Sequence, residues 1–183
     1  MLKKLLLGVF AILVIGAVAL GIGIAMQPDE YNVTRSATIA APADGVFARV
    51  NDFHKWEAWS PWAKLDPNMK TSFSGSESGK GSVYSWVGDD KVGEGKMTIT
   101  DSTPPSEVKI LLEFIKPFAS TANTVFTFKP NGGGTDVTWS MSGKHTFLSK
   151  AMCLFLSMDK MIGPDFEKGL AQLKTVSESS AAN

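Results

Sequence analysis

An uncharged apolar run near the N-terminus constrains this chain more than any other feature of its sequence. The run LLLGVFAILVIGAVALGIGIAM occupies residues 5–26. At about 1.5 Å of rise per residue, a helix of that length crosses the roughly 30 Å hydrocarbon core of a bilayer. No comparable run follows Gln27. The sequence therefore predicts one transmembrane anchor followed by a globular domain.

The charges on either side of this anchor predict its orientation. Lys3 and Lys4 precede it, whereas Asp29 and Glu30 follow it. Because loops rich in lysine and arginine stay on the cytoplasmic side of a membrane, residues 1–4 are expected in the cytoplasm. The domain is then expected on the other side, in the periplasm or outside the cell.

A cleaved signal peptide is the alternative interpretation of the same segment. Gly23 and Ala25 are small residues at a possible cleavage position, and the two lysines make an acceptable start for such a peptide. The apolar part of a signal peptide is usually only about 7–15 residues long, which favours a retained anchor. Secretion after cleavage remains the alternative, and the domain is exported in both cases.

The rest of the chain is predicted to form one domain. We divide it into a linker at 27–30, a domain at 31–176 and a flexible polar tail at 177–183. Cys153 is the only cysteine, so no intramolecular disulfide is possible and packing alone must stabilise the core. Basic and acidic residues number 18 each, without a basic stripe, and this disfavours nucleic-acid binding.

The residue pattern after the anchor predicts an α+β fold. An alternating strand begins at Tyr31, and two short helices follow it. From 69 to 142, short alternating runs are separated by turn residues, which is typical of an antiparallel meander. Apolar residues then recur three and four apart over 147–176, which predicts a long amphipathic helix with a kink or brief interruption at Gly163-Pro164. The expected architecture is a curved antiparallel sheet of about seven strands around a long C-terminal helix.

Three segments together resemble a known superfamily. They are RSATIAAPADGVFARVNDFHKWEAWSPW near the start of the domain, GTDVTWSMSG in the last strand, and DFEKGLAQLK near the end. Their order and spacing are similar to those of the START-like or Bet v 1-like (SRPBCC) superfamily, specifically its polyketide cyclase/dehydrase and lipid-transport members. The resemblance spans about Tyr31 to Lys174. It implies a helix-grip fold with an apolar cavity between the sheet and the long helix.

The sequence offers little that predicts catalysis, a metal or a cofactor. His54 and His145 lie far apart, without a His/Cys/Asp cluster at metal-ligand spacing. The closely spaced glycine pairs lack the third glycine and the helix of a dinucleotide site. We therefore expect no metal and no cofactor, and the catalytic residues, if any exist, are unknown.

Bulky apolar residues on the strands and the closing helix are the candidates for lining a cavity. Met and the aromatic residues suit a permissive lipid-like pocket, although ordinary core packing is the favoured explanation for any single one of them. The candidates are Phe73, Tyr84, Trp86, Met97, Leu111, Phe126, Trp139, Met141, Phe155 and Met158, and Ile99, Phe128 and Met161 share their character.

Three charged residues and three tryptophans complete the candidates. Arg35, Glu94 and Glu113 each lie within a predicted strand and could orient a polar group, or else belong to a solvated outer face. Trp56, Trp59 and Trp62 are expected to pack under the sheet edge, with gating of the cavity or contact with the bilayer interface as alternatives.

The leading functional hypothesis is a membrane-anchored START-like domain that binds a lipid or another apolar small molecule. A polyketide cyclase or dehydratase is the second hypothesis, with Glu94 or Glu113 as general base, and it requires that carboxylate inside the cavity. A cell-envelope module that binds another protein, with a filled interior, is the third.

Overall fold

A seven-stranded antiparallel sheet organises the domain. The computed structural model describes residues 2–181. The elements are α1 Leu2–Ala25, β1 Glu30–Ile39, α2 Ala43–Val50, a 3-10 helix Phe53–Ala58, β2 Lys70–Gly75, β3 Ser82–Val87, β4 Glu94–Thr103, β5 Glu107–Lys116, β6 Ser120–Asn131, β7 Gly134–Lys144, α3 Phe147–Cys153 and α4 Met158–Ala181. The strands lie in the order β1-β7-β6-β5-β4-β3-β2. Strands β2 to β7 form the predicted meander, and β7 pairs with β1 on its other side.

Alternation of buried and less buried residues along β7 identifies the inner face of the sheet. Val137, Trp139 and Met141 are buried, and the polar residues between them are less so. Helix α4 packs against this face through Phe166, Leu170 and other apolar residues recurring three and four apart. The predicted fold class, a curved antiparallel sheet with a long C-terminal helix, is confirmed.

The closing helix differs in detail from the prediction. The chain leaves the helix at 154–157, where the N–H groups of Phe155 and Leu156 both donate to the carbonyl oxygen of Met152. Helix α4 then continues through Pro164. The helix is therefore not interrupted at Gly163-Pro164, and a kink there stays a prediction. The break at 154–157 creates a separate short helix, α3.

The C-terminal segment is more ordered than its polar composition suggested. Helix α4 extends to Ala181, past the predicted start of a flexible tail. The Glu178 carboxylate accepts a hydrogen bond of 2.7 Å from the Ala40 backbone N–H, and Ser177 is buried. These contacts hold 177–181 in the helix. Ala182 and Asn183, the last residues of the predicted tail, lie outside the described residues.

Aromatic stacking fills the space between the sheet and α4. The Trp139 and Phe166 rings stack with centroids 3.9 Å apart, and Phe126 stacks on the other side of Trp139 at 4.8 Å. Trp59 is fully buried and meets Trp139 edge to face. Trp56, Trp59 and Trp62 all contact this cluster, so they pack in the interior as the sequence predicted.

Helix α1 lies largely outside this core. The segment Leu6–Ala25 has a mean hydropathy of 2.7, and 6% of it is buried. Its length and composition suffice to cross a membrane, a property that a signal sequence shares. Ile24 in the last turn is buried, unlike most of α1.

Close packing at Gly169 of α4 gives the first prediction. A methyl group there would lie 2.8 Å from Trp139 Cζ3 and 3.1 Å from Pro61 Cδ, so Gly169→Ala should destabilise the domain by about 1–3 kcal/mol. Gly45→Ala in α2 is the matched control, because a methyl group there meets nothing within 4 Å. It should be neutral or stabilising by up to about 1 kcal/mol. Thermal unfolding of the full chain in detergent, followed by near-UV circular dichroism, measures both; equal melting temperatures would contradict the packing.

Candidate ligand pocket

An apolar pocket of about 210 Å³ lies at one end of the sheet, where α3 and α4 separate. The turn between β5 and β6 closes one side, and the two helices close the other. Three methionines provide a deformable wall, since the thioether side chain adapts to irregular partners. The apolar lining residues are Tyr31, Phe114, Pro117, Phe118, Leu148, Met152, Met158 and Met161.

The order of the elements explains why the pocket forms there. Strand β7 ends at Lys144, and α3 begins three residues later with Thr146 as its N-cap, whose hydroxyl accepts from the Ser149 N–H at 3.2 Å. Because β7 runs beside β6 with Gly143 opposite Ala122, α3 emerges next to the β5–β6 turn. The break after α3 then directs α4 back along the inner face.

Two polar rings lie side by side at this end of the sheet. The Tyr31 and His145 rings are 5.1 Å apart, and His145 Nδ1 is 3.1 Å from Ser149 Oγ. Partial burial, and then the charge of Lys150, lower the pKa of His145, whereas burial raises the pKa of Tyr31. Both rings are therefore uncharged at neutral pH, which suits an apolar pocket.

Lysines lie around the pocket, and two of them, Lys116 and Lys150, are ion-paired. The Lys150 ammonium binds the Asp29 carboxylate, which lowers the pKa of Asp29, and Lys116 Nζ lies 2.7 Å from Glu94 Oε2. The lining residues include no aspartate or glutamate. A second, polar pocket of about 240 Å³ shares Tyr31 and Lys144 with the first and continues along the sheet past Thr121 and Ser142.

Comparison with known proteins decides the family. The sequence profile of the family described as "Polyketide cyclase / dehydrase and lipid transport" matches residues 30–178. The chain belongs to this family. Its fold places it in the START-like or Bet v 1-like superfamily, as the sequence resemblance implied. A comparison with curated proteins finds none that matches.

Solved structures share the fold at low sequence identity. Protein CV1439 from Chromobacterium violaceum aligns with a TM-score of 0.58 and 13% identity over 83% of this chain and 99% of its own. Mll3558 from Rhizobium loti aligns with a TM-score of 0.59 and 18% identity, over 80% of this chain and 96% of its own. Ara h 8.0201 aligns with a TM-score of 0.54 and 12% identity, over 84% of this chain and 98% of its own.

Most of the apolar residues that the sequence suggested as cavity lining lie away from this pocket. Met158 lines it, together with Met161 from the wider set. Phe73 lies on β2, 43% exposed and stacked on His54. Phe155 is 86% exposed, because the break at 154–157 removes it from the inner face. The other candidates on the inner face belong to the core or pack against it: Tyr84, Trp86, Met97, Phe126, Trp139 and Met141.

Register explains the placement of Leu111 and the two carboxylates. Leu111 pairs with Thr98 and Asn123 on the outer face of the sheet. Glu113 pairs with Lys96 across the strands on this face, with an N···O distance of 3.2 Å. Glu94 is paired with Lys116.

Arg35 lies on the inner face beside Trp139, at the edge of the sheet. Its guanidinium crosses α4 at Gly163 and binds Asp159 and Glu167, each at 2.7 Å. These hydrogen bonds lower the pKa of Asp159. Arg35 therefore fastens the first turns of α4 to β1, which fixes one wall of the pocket.

Six apolar pocket residues were missing from the candidates: Tyr31, Phe114, Pro117, Phe118, Leu148 and Met152. A signal for two of them exists in the sequence, because Phe114 and Phe118 lie on either side of the Lys116-Pro117 turn. Across the described residues 2–181, no group of three metal-ligating side chains comes together.

The lowered pKa of His145 gives the second prediction. The folded domain binds this proton less readily than the unfolded chain, whose histidine has a pKa near 6.5, so stability is retained above that pH and falls as the pH drops below it. His145→Gln should therefore flatten the dependence of melting temperature on pH between about pH 5 and 7. Identical slopes for the variant and the wild type would contradict this role.

Proposed function

We propose that this protein is a membrane-anchored START-like domain that binds a lipid or another apolar small molecule in the pocket between α3, α4 and the β5–β6 turn. The observation that carries the proposal is the position of this methionine-lined pocket at the end of the domain where α1 joins it. Family membership supports a ligand-binding domain and leaves the ligand open.

The size of the pocket limits what it can hold. Its volume of about 210 Å³ is below the roughly 300–1,000 Å³ of typical small-molecule sites. The occupant is therefore one apolar chain or ring with the remainder outside, or a larger group admitted by rearrangement of Met152, Met158 and Met161. The lining is mostly apolar and contains no carboxylate, although Lys116 and Lys144 also line it. This favours hydrocarbon inside the pocket.

The energetics favour a ligand at high local concentration. Each buried methylene contributes about 0.8 kcal/mol, and association costs at least about 4 kcal/mol. Roughly five methylenes must be buried before any net affinity results. A pocket of this size therefore binds weakly, and a membrane that supplies abundant acyl chains compensates for this.

The cyclase or dehydratase alternative requires an acid or base next to the bound chain. Glu94 and Glu113 are ion-paired with Lys116 and Lys96, and neither lines the apolar pocket. The interaction-module alternative draws on the filled aromatic core and becomes the preferred function if the pocket takes up no ligand.

The anchor gives the third prediction. The full chain should remain in the membrane pellet after an alkaline carbonate wash, with its N-terminal residues still attached in intact-mass spectrometry, because α1 is apolar throughout its span. The doubly charged variant Leu13→Arg with Ala17→Arg should leave the pellet, since each arginine at the centre of a helix costs about 2.5–3.5 kcal/mol of insertion. Recovery of a soluble chain without residues 1–26 would instead support a signal peptide.

Pocket occupancy gives the fourth prediction. The full chain in lipid nanodiscs is irradiated with a fatty acid that carries a diazirine at its chain end, and labelled peptides are identified by mass spectrometry. Labels should appear at the pocket wall, and Met161→Trp, which fills the pocket, should reduce them several-fold. Met69→Trp is the control, because Met69 lies in a loop that does not line the pocket. Equal labelling of both variants would contradict the proposal.

A further inference from the structure

The connection between α1 and the domain is short. Helix α1 ends at Ala25 and β1 begins at Glu30, so the residues between them reach at most about 14 Å even when extended. Asp29 in this connection is held twice, since its carbonyl oxygen accepts from the His145 N–H at 2.8 Å and its carboxylate binds Lys150. The end of the domain that carries α3 is therefore held against the end of α1.

Direct packing reinforces this attachment. Ile24 in the last turn of α1 is buried, although most of that helix is exposed. A methyl group added to Gly23 would lie 3.4 Å from Leu154 Cδ2. The last turn of α1 thus contacts the segment that follows α3, and the apolar surface of the anchor continues onto the domain.

Exposed apolar side chains of the domain concentrate at this same end. Phe155, Phe147 and Phe118 are 86%, 76% and 61% exposed. None of the seven residues of α3, all of which the structure describes, is buried. Beside the pocket, the large exposed apolar residues of 30–181 are Ile115, Phe118, Phe147, Leu148, Met152, Phe155 and Leu156. Elsewhere in 30–181 they are Leu65, Phe73 and Val87.

The exposed surface is also the rim of the pocket. Phe118, Leu148 and Met152 are each more than a third exposed and each line the pocket. Lys116 and Lys150 are ion-paired with Glu94 and Asp29, and Lys144 also lines the pocket. The rim therefore presents hydrocarbon flanked by lysines. A contiguous apolar patch of this kind marks a surface that is normally covered.

We propose that the membrane leaflet nearest the domain covers this surface. The segment 147–156 and the β5–β6 turn insert beside α1, so that the pocket opens into the bilayer and its apolar ligand enters from the lipid without crossing water. The occupant is a lipid surface because the patch is continuous with α1. This inference rests on the proposed function, since it uses both the anchor and the pocket.

The inserted segment is tested with a fluorescent label on the full chain in nanodiscs. In a Cys153→Ser background, Phe155→Cys carries an NBD dye, and Phe73→Cys carries it as the matched control at another exposed aromatic position. The label at 155 should emit at shorter wavelength and be quenched several-fold more strongly by lipids with spin-labelled acyl chains. Equal, water-like emission and equal quenching at both positions would overturn the inference.

A second variant measures the route of entry. Phe147→Glu with Phe155→Glu should slow labelling of the pocket by the diazirine fatty acid several-fold in nanodiscs, whereas Phe73→Glu should not; matched melting temperatures establish that the variants are folded. Equal labelling rates for all three proteins would contradict entry from the bilayer. Pocket labelling with a water-exposed position 155 overturns the inference and leaves the proposed function intact. A membrane-embedded position 155 without pocket labelling contradicts the proposed function and leaves the insertion intact.

Discussion

The stack of Trp139 on Phe166 is the contact on which the rest of the structure depends. Trp139 projects from the centre of β7 and Phe166 from the middle of α4, so their rings, 3.9 Å apart, set the distance between the sheet and its helix. Phe126 and Trp59 extend the same cluster. Because these rings fill the space between the centre of the sheet and α4, the apolar pocket lies at one end of the sheet, where methionines replace the rings.

The break at 154–157 converts that end into a distinct site. The turn that closes on the Met152 carbonyl oxygen separates α3 from α4, and Leu148 and Met152 of α3 then line the pocket together with Met158 and Met161 of α4. The same turn exposes Phe155 and brings Leu154 to the last turn of α1. One local irregularity thus forms the pocket wall, the apolar rim and the contact with α1.

Sequence periodicity predicted the fold well and the pocket poorly, for a physical reason. Alternation in β7 identifies the inner face because burial there is continuous, and the low polarity of α1 is independent of tertiary contacts. The pocket depends instead on where the closing helix breaks and on which strand ends meet. Pro164 suggested a break at the wrong position, and the strand register that places Leu111 on the outer face is set by pairing across β4 to β6. Only tertiary structure supplies that information.

The central claim is that the space beside Met158 and Met161 is a ligand site. Native mass spectrometry of the full chain, released from detergent micelles after gentle purification, tests it most directly. If this space is a ligand site, the spectrum should show a stoichiometric adduct of one apolar molecule, which lipid extraction then identifies by class. A chain that carries no adduct, even after incubation with lipids extracted from its own membrane, would contradict the claim and favour a surface-binding role for the domain.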